Sequence, residues 1–187
     1  MEKEKLLVHI CCAPCFIAPY EHLKAENRFD LRGFWFNSNI HPYQEYSKRR
    51  DTLQEFTEKQ SIPMIWKDEY LLEEFLRKVS YREGERCRIC YYERLRYAAI
   101  IAAKGNFDYF TTTLLYSKFQ KHELIRETGE ALGKEMGVKF YYQDFREYWK
   151  EGIERSKAAN MYRQQYCGCI FSEKERFQEK EPKKDLR

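Results

Sequence analysis

The chain has 187 residues, of which 43% are hydrophobic and 34% charged, and its formal net charge is +4. This length gives one domain a proper buried core and is too short for two ordinary domains. The composition excludes a disordered, repetitive or collagen-like chain, and no apolar run reaches the length of a membrane span. The amino-terminal residues lack the apolar core of a signal peptide, so we expect a cytoplasmic protein with reduced cysteines and no membrane partner.

In chain order, the pattern of apolar residues predicts strands at residues 5–10, 31–36, 62–66, 107–112 and 138–142. Helices are predicted at residues 16–26, 43–60, 69–79, 87–104 and 123–136, followed by two short helices at 145–150 and 153–162. In the longest helix, Tyr92, Leu95 and Ala99 are predicted to form the buried stripe.

Strands that alternate with helices predict an α/β fold, namely an open, mostly parallel sheet of about five strands with helices on both faces. We expect residues 1–171 to form this single catalytic domain. Residues 172–187 are predicted to be a charged C-terminal tail.

Seven cysteines fall into three tight groups, which are Cys11, Cys12 and Cys15; Cys87 and Cys90; and Cys167 and Cys169. The Cys-x-x-Cys spacing at a helix start places two thiols one turn apart on the same face, where both can reach one metal centre. Gly168 lets the backbone between the last two cysteines turn tightly. Because adjacent side chains tend to project apart, Cys11 and Cys12 are predicted to serve two neighbouring centres.

Polar residues follow four of the predicted strands, beginning at Cys11, Asn37, Thr113 and Asp144. In an open parallel sheet, ligands bind outside the carboxyl ends of the strands, so these residues are predicted to surround one crevice. A structural zinc ion or a four-iron cluster needs at most four thiolates. Seven thiols near a carboxylate therefore favour a cluster together with a second metal.

Other interpretations of the same residues stay open. Cys12 and Cys15 match the spacing of a thiol redox motif, although that function leaves four paired cysteines unexplained. The cysteines could hold a structural zinc or iron site in a nucleotide-binding module. His9 could be a packed core histidine, and Asp144 could be a helix N-cap.

Several segments together resemble the epoxyqueuosine reductases of the QueH type, and the resemblance covers nearly the whole chain. The segments are His9-Ile-Cys-Cys-Ala-Pro-Cys15, Phe36-Asn-Ser-Asn-Ile-His-Pro-Tyr-Gln-Glu-Tyr46, Arg86-Cys-Arg-Ile-Cys90, Thr111-Thr-Thr-Leu-Leu-Tyr-Ser117, Asp144-Phe-Arg146, Ser156-Lys157 and Tyr162-Arg-Gln-Gln-Tyr-Cys-Gly-Cys169. The resemblance implies a fold similar to the PP-loop nucleotide-binding fold. It also implies reduction of tRNA-bound epoxyqueuosine to queuosine, the final step of queuosine biosynthesis.

The resemblance further implies a 4Fe-4S cluster beside an additional mononuclear iron, with electrons from an unidentified donor. The metal ligands are then all seven cysteines and one aspartate, for which we choose Asp144. We expect Cys11 and Asp144 at the substrate-facing iron, and His9 or His41 as the proton donor. The basic residues expected to contact tRNA are Lys48, Arg49, Arg50, Lys118 and Lys121. The alternatives are a metal-stabilised module that binds tRNA without catalysis and a thiol redox protein.

Overall fold

The fold is an open α/β sheet of five parallel strands, seen in a computed structural model that describes residues 3–178. The strands are β1 (Glu4–His9), β2 (Phe29–Trp35), β3 (Met64–Trp66), β4 (Tyr109–Thr112) and β5 (Lys139–Phe140). The helices are α1 (Ala13–Ala25), α2 (Tyr43–Lys59), α3 (Leu72–Val79), α4 (Arg86–Lys104), α5 (His122–Met136), α6 (Trp149–Ala158) and α7 (Ile170–Phe177). The predicted fold class is confirmed.

The strand order in the sheet is β3-β2-β1-β4-β5. Strands β2 and β3 therefore lie on one side of β1, and β4 and β5 lie on the other. Right-handed crossovers place α1 and α2 on one face of the sheet and α4 and α5 on the other. The packing agrees with this arrangement, because α4 lies against α5 while α1 lies against α6 and α2. The order reverses between β1 and β4, where such sheets open a ligand crevice.

The central strand β1 is apolar on both faces because helices cover both sides of it. Leu6, Leu7 and Val8 have no exposed surface, and β1 pairs with β2 on one side and with β4 on the other. A continuous apolar run is typical of a parallel strand buried in this way. Within residues 3–178, none of the helices combines the length and apolar character that a membrane span requires.

Two predicted details of the helices are wrong. Of the predicted buried stripe in α4, Leu95 and Ala99 are buried, but Tyr92 is 44% exposed and the neighbouring Tyr91 is buried instead. Both tyrosines fit the helical spacing of the stripe, and contact of α4 with the sheet and α5 selects Tyr91. The second short helix is predicted to reach residue 162, but α6 ends at Ala158, where Asn160 adopts a left-handed backbone with φ of 50°.

The C-terminal segment, predicted to be a charged tail or a frayed helix, begins with α7. The predicted boundary between residues 171 and 172 falls inside α7, whose start is capped by Cys169. Residues 179–187 of the predicted tail lie outside the described part of the chain.

Candidate metal centre and active site

A cavity of about 630 Å³ opens at the carboxyl edge of the sheet, where the strand order reverses. Five of the seven cysteines line it, namely Cys11, Cys15, Cys87, Cys167 and Cys169. We call this space the cysteine cavity. The fold therefore brings together cysteines from three segments that are far apart in the chain.

Cys11, Cys12 and Cys15 form a compact group of buried thiols at the start of α1. Their Sγ atoms all lie within 4.8 Å of one another, and those of Cys11 and Cys12 are 3.8 Å apart. The prediction that Cys11 and Cys12 point apart is therefore wrong. Thr113 explains the difference, because its Oγ1 accepts a hydrogen bond from the Cys11 backbone N–H at 3.0 Å and donates one to Cys11 Sγ at 3.3 Å.

The three thiols differ in their tendency to ionise. Hydrogen bonds from Cys12 and Cys15, together with the charge of Arg94, hold the pKa of Cys11 well below its usual value. Burial is the main cause that raises the pKa of Cys12, and hydrogen bonding to Cys11 is the main cause that raises the pKa of Cys15. Of these three thiols, Cys11 and Cys15 line the cavity.

The donor set fits a thiolate-bound metal group. Two thiolates at metal–sulfur distances of about 2.3 Å in a tetrahedral site lie about 3.8 Å apart, which matches the separation of Cys11 and Cys12. All seven cysteines are free, and thiolates select soft metals such as zinc and the iron of iron–sulfur clusters. The amide of Gln164 donates to Cys12 Sγ at 2.9 Å and to Cys15 Sγ at 3.2 Å, so it also fixes these ligand atoms.

The other four cysteines approach the cavity from two different elements. Cys87 and Cys90 lie in the first turn of α4, and Cys167 and Cys169 lie just before α7. Burial raises the pKa of Cys87, and it raises that of Cys90 to about 11. A hydrogen bond from Cys169 lowers the pKa of Cys167 to about 5.

The loop that contains Cys167 and Cys169 depends on the glycine between them. Gly168 has φ of 131°, a conformation that side chains rarely adopt, and a Cβ there would lie 3.1 Å from Ile40 Cγ1. The Gly168 carbonyl accepts a hydrogen bond from the His41 backbone N–H at 2.8 Å. This close approach explains why the sequence has glycine between the two thiols.

Two buried arginines lie beside the cysteines. Arg49 on α2 donates to the backbone oxygens of Cys167 at 3.1 Å and Tyr166 at 2.9 Å. Arg94 on α4 donates to Cys90 Sγ at 3.6 Å and to Asn37 Oδ1. The first arginine therefore holds a loop backbone, and the second contacts a sulfur atom.

The structure does not place the predicted catalytic residues His9, His41 and Asp144 on the wall of the cysteine cavity. His9 is buried, its Nδ1 lies 2.8 Å from Thr112 Oγ1, and its Nε2 lies 3.0 Å from the Phe36 carbonyl. Burial lowers the pKa of His9 to about 3 and that of His41 to about 4, so both imidazoles are neutral at pH 7.

Asp144 caps the 3-10 turn Phe145–Tyr148, and both of its carboxylate oxygens accept hydrogen bonds from Arg146. The hydrogen bond from Arg146 is the main reason why the pKa of Asp144 is lowered to about 2. In this structure the carboxylate is thus engaged as an N-cap and in an ion pair.

The basic residues predicted to contact tRNA occupy different environments. Lys48, Lys118 and Lys121 are exposed. Arg50 forms ion pairs with Asp51 and Asp68, and the side chain of Arg49 is 1% exposed and bonded inside the protein. A buried Arg49 does not present its charge to a tRNA phosphate, so the predicted tRNA contact does not fit this residue.

Sequence reasoning placed Thr113 at the crevice but did not predict its contact with a thiol, and it missed the thiol contacts of Gln164 and Arg94. Gln164 and Thr113 lie within segments that carry the family resemblance, and that was the available signal. Arg94 lies four residues after Cys90, one helical turn away, a spacing that places both side chains on the same face of α4.

Comparison with known proteins identifies the family of this chain. A family model described as "Epoxyqueuosine reductase QueH" matches residues 6–175. A protein of that name from Dehalococcoides mccartyi is 38% identical over 92% of this chain and 94% of its own length. Its namesake from Thermotoga maritima is 33% identical over 91% of each chain, and one from Streptococcus pyogenes is 31% identical over 92% of this chain and 71% of its own. The chain belongs to the epoxyqueuosine reductase QueH family.

Proposed function

We propose that this chain is an oxidoreductase that reduces epoxyqueuosine in tRNA to queuosine. The observation that carries the proposal is the group of three buried thiols within 4.8 Å of one another, at a cavity that five cysteines line, in a chain of this family. Conversion of the epoxide to the alkene breaks two C–O bonds, consumes two electrons and two protons, and releases water. The chain must therefore bind a source of electrons beside the substrate.

We assign that role to a 4Fe-4S cluster and an additional iron. The residues that would hold them are the seven cysteines, with Asp144 as the predicted carboxylate ligand. Such a metal centre supplies single electrons and a Lewis acid for the epoxide oxygen. Asp144 would have to exchange its Arg146 partner for the metal, and its role as a ligand stays a prediction.

The walls of the cavity suit a nucleobase. Tyr91, Tyr116, Trp149 and Leu114 give it apolar and aromatic surface, which excludes water and packs against a planar base. The Tyr116 hydroxyl donates to the Trp149 carbonyl at 3.0 Å, which fixes one wall. The hydroxyls of Tyr91 and Tyr116 already donate to Gln120 Oε1 and to the Trp149 carbonyl, and His9 and His41 as proton donors stay predictions.

Exposed cations provide the remaining tRNA contacts in this proposal. Lys118, Lys121 and Lys48 would lie against phosphates of the anticodon loop, where target bases are unpaired and flipping costs little. Arg50 stays a prediction, since its charge is already partly balanced by Asp51 and Asp68.

The test begins with the anaerobically purified protein. We expect a brown protein with acid-labile sulfide and more than four irons per chain, and reductant-driven conversion of tRNA-bound epoxyqueuosine to queuosine. A colourless protein with one zinc that binds the tRNA without converting it would favour the non-catalytic module. A protein without metal that instead catalyses thiol exchange through Cys12 and Cys15 would favour the redox alternative.

Matched variants separate the roles of Cys11 and Asp144 from structural effects. Cys11→Ala and Asp144→Ala should each abolish turnover. Arg146→Ala breaks the same ion pair as Asp144→Ala but leaves the carboxylate in place, so it should retain activity. Equal losses in Asp144→Ala and Arg146→Ala would show that the ion pair matters and the ligand assignment is wrong.

A further inference from the structure

Phe119 is an exposed aromatic side chain at the mouth of the cysteine cavity. It is 84% exposed and belongs to the segment between the 3-10 turn Thr113–Tyr116 and α5. It also lines the cavity, unlike Tyr81, which is 98% exposed. A single exposed apolar side chain needs no partner by itself. Phe119 differs because it lines the cavity, where a ligand that enters can cover it.

The neighbouring residues hold Phe119 in this exposed position. Its ring meets the Trp149 ring edge-on, with centroids 5.7 Å apart and an interplanar angle of 77°. The Phe119 backbone N–H donates to Ser117 Oγ at 3.3 Å, and the Lys121 backbone N–H donates to the Tyr91 hydroxyl at 3.1 Å. The segment is therefore anchored on both sides of the exposed ring.

Cations without carboxylate partners flank the ring. Lys118 has its Nζ 6.0 Å from the centre of the Trp149 ring, and Lys121 and Arg163 line the cavity. Within residues 3–178, none of these three side chains forms an ion pair. An exposed aromatic face beside unpaired positive charge matches the chemistry of single-stranded RNA, which offers base faces and phosphates at short intervals.

We propose that Phe119 stacks on the nucleotide adjacent to the target base, while Lys118 and Lys121 contact the flanking phosphates. The inference rests on the proposed function, because it assumes that the cavity takes a base of tRNA. Phe119 thereby recognises the RNA around the target base rather than the reacting atoms. A base stacked on an aromatic side chain contributes about tenfold to affinity.

The experiment uses the anaerobic, metal-loaded protein and an anticodon stem-loop RNA carrying epoxyqueuosine. Phe119→Ala should raise the dissociation constant and KM about tenfold, with kcat and iron content unchanged. Phe119→Trp should restore binding, since any aromatic face can stack. Tyr81→Ala removes an even more exposed aromatic side chain that does not line the cavity, and this variant should bind as the wild type does.

A coupling measurement identifies the stacked nucleotide. The RNA is made with an abasic site on the 5′ or the 3′ side of the target, and each RNA is titrated with wild type and Phe119→Ala. On one of the two RNAs, Phe119→Ala should no longer raise the dissociation constant above that of the wild type. On the isolated epoxyqueuosine nucleoside, which has no neighbour, wild type and variant should bind equally.

Two kinds of failure can be told apart. If the wild type does not convert the stem-loop, the proposed function is wrong. If the wild type converts it but Phe119→Ala binds the RNA normally, or loses the same affinity on both abasic RNAs, this inference alone is overturned. Dimerisation that Phe119→Ala abolishes, with RNA binding unchanged, would assign the ring to a second copy of the chain and also overturn it.

Discussion

Arg49 on α2 and Arg94 on α4 are both almost fully buried, with 1% and 2% exposure, yet their surroundings differ. Arg49 forms an ion pair with Glu45 at 2.6 Å and holds the backbone of the Cys167 loop. Arg94 has no carboxylate partner within residues 3–178, and its contacts are Cys90 Sγ, Asn37 and His9.

The different partners of Arg49 and Arg94 indicate different functions for the two positive charges. A buried guanidinium is costly unless a negative charge balances it. Glu45 balances the charge of Arg49 without any metal. Arg49 can therefore stabilise the fold by holding the Cys167 loop. Arg94 contacts the thiol of Cys90 and lowers the pKa of Cys11 through its charge, so thiolates are the groups that can balance it. Within residues 3–178 the charge of Arg94 is therefore balanced by thiolates rather than by a carboxylate, which fits the proposed thiolate-bound metal centre.

The largest expected effect is on folding, from Arg49→Met. This substitution leaves Glu45 buried without its cation and frees two loop carbonyls. We expect the free energy of unfolding to fall by about 3–5 kcal/mol, measured by urea denaturation of the anaerobic protein. The adjacent Arg50→Met should cost less than about 1 kcal/mol, because its ion pairs are largely exposed to solvent. Similar losses of unfolding free energy in Arg49→Met and Arg50→Met would show that the buried ion pair stabilises the fold no more than the surface ion pairs do.

A smaller effect, on metal retention, is expected from Arg94→Met. In the proposed metal centre, loss of a charged donor beside the Cys90 sulfur should weaken metal affinity about 10- to 100-fold, measured as iron per chain during titration with a chelator. Arg96→Met, two residues along the same helix, serves as the control and should keep its iron.

Metal removal sharpens the contrast between the two arginines. In the chelated protein, Arg94→Met removes a poorly balanced charge and should cost less than half as much unfolding free energy as Arg49→Met. If Arg94→Met destabilises the chelated protein as strongly as Arg49→Met does, then Arg94 also stabilises the fold in the absence of metal.

The smallest expected effect is a pH dependence in the Arg49 region, through His41. His41 packs against Tyr70 and Phe75 with Glu73 nearby, and burial lowers its pKa from 6.5 to about 4. The unfolded chain takes up a proton below pH 6.5 while the folded protein does so only near pH 4. Stability is therefore intact above pH 6.5 and is lost as the pH falls toward 4.

Between pH 7 and pH 5, wild type should lose about 1–2 kcal/mol more unfolding free energy than His41→Phe. Among residues 3–178, neither ring nitrogen of His41 has a hydrogen-bond partner, so phenylalanine can replace it without leaving a polar group unpaired. Parallel pH profiles of wild type and variant would show that His41 titrates normally in the folded protein.

The sequence predicted the order of strands and helices because the apolar pattern of each segment is local. It also indicated that the cysteines would meet at the carboxyl edge of the sheet, since parallel strands end on the same side. It placed Leu95 and Ala99 correctly on the buried face of α4 but chose Tyr92 instead of Tyr91, because stripes through these neighbouring tyrosines have nearly the same helical spacing. Only the contacts of α4 with β1, β4 and α5 distinguish them.

The sequence by itself determined the fold class, the three groups of cysteines and the need for glycine between Cys167 and Cys169. Tertiary structure alone decided that Cys11 and Cys12 converge, since Thr113, 102 residues from Cys11, orients the first thiol. It also decided that Arg49 is buried and holds a loop, while the adjacent Lys48 is exposed. Charge is visible in a sequence, but the partner that balances it comes from another part of the chain.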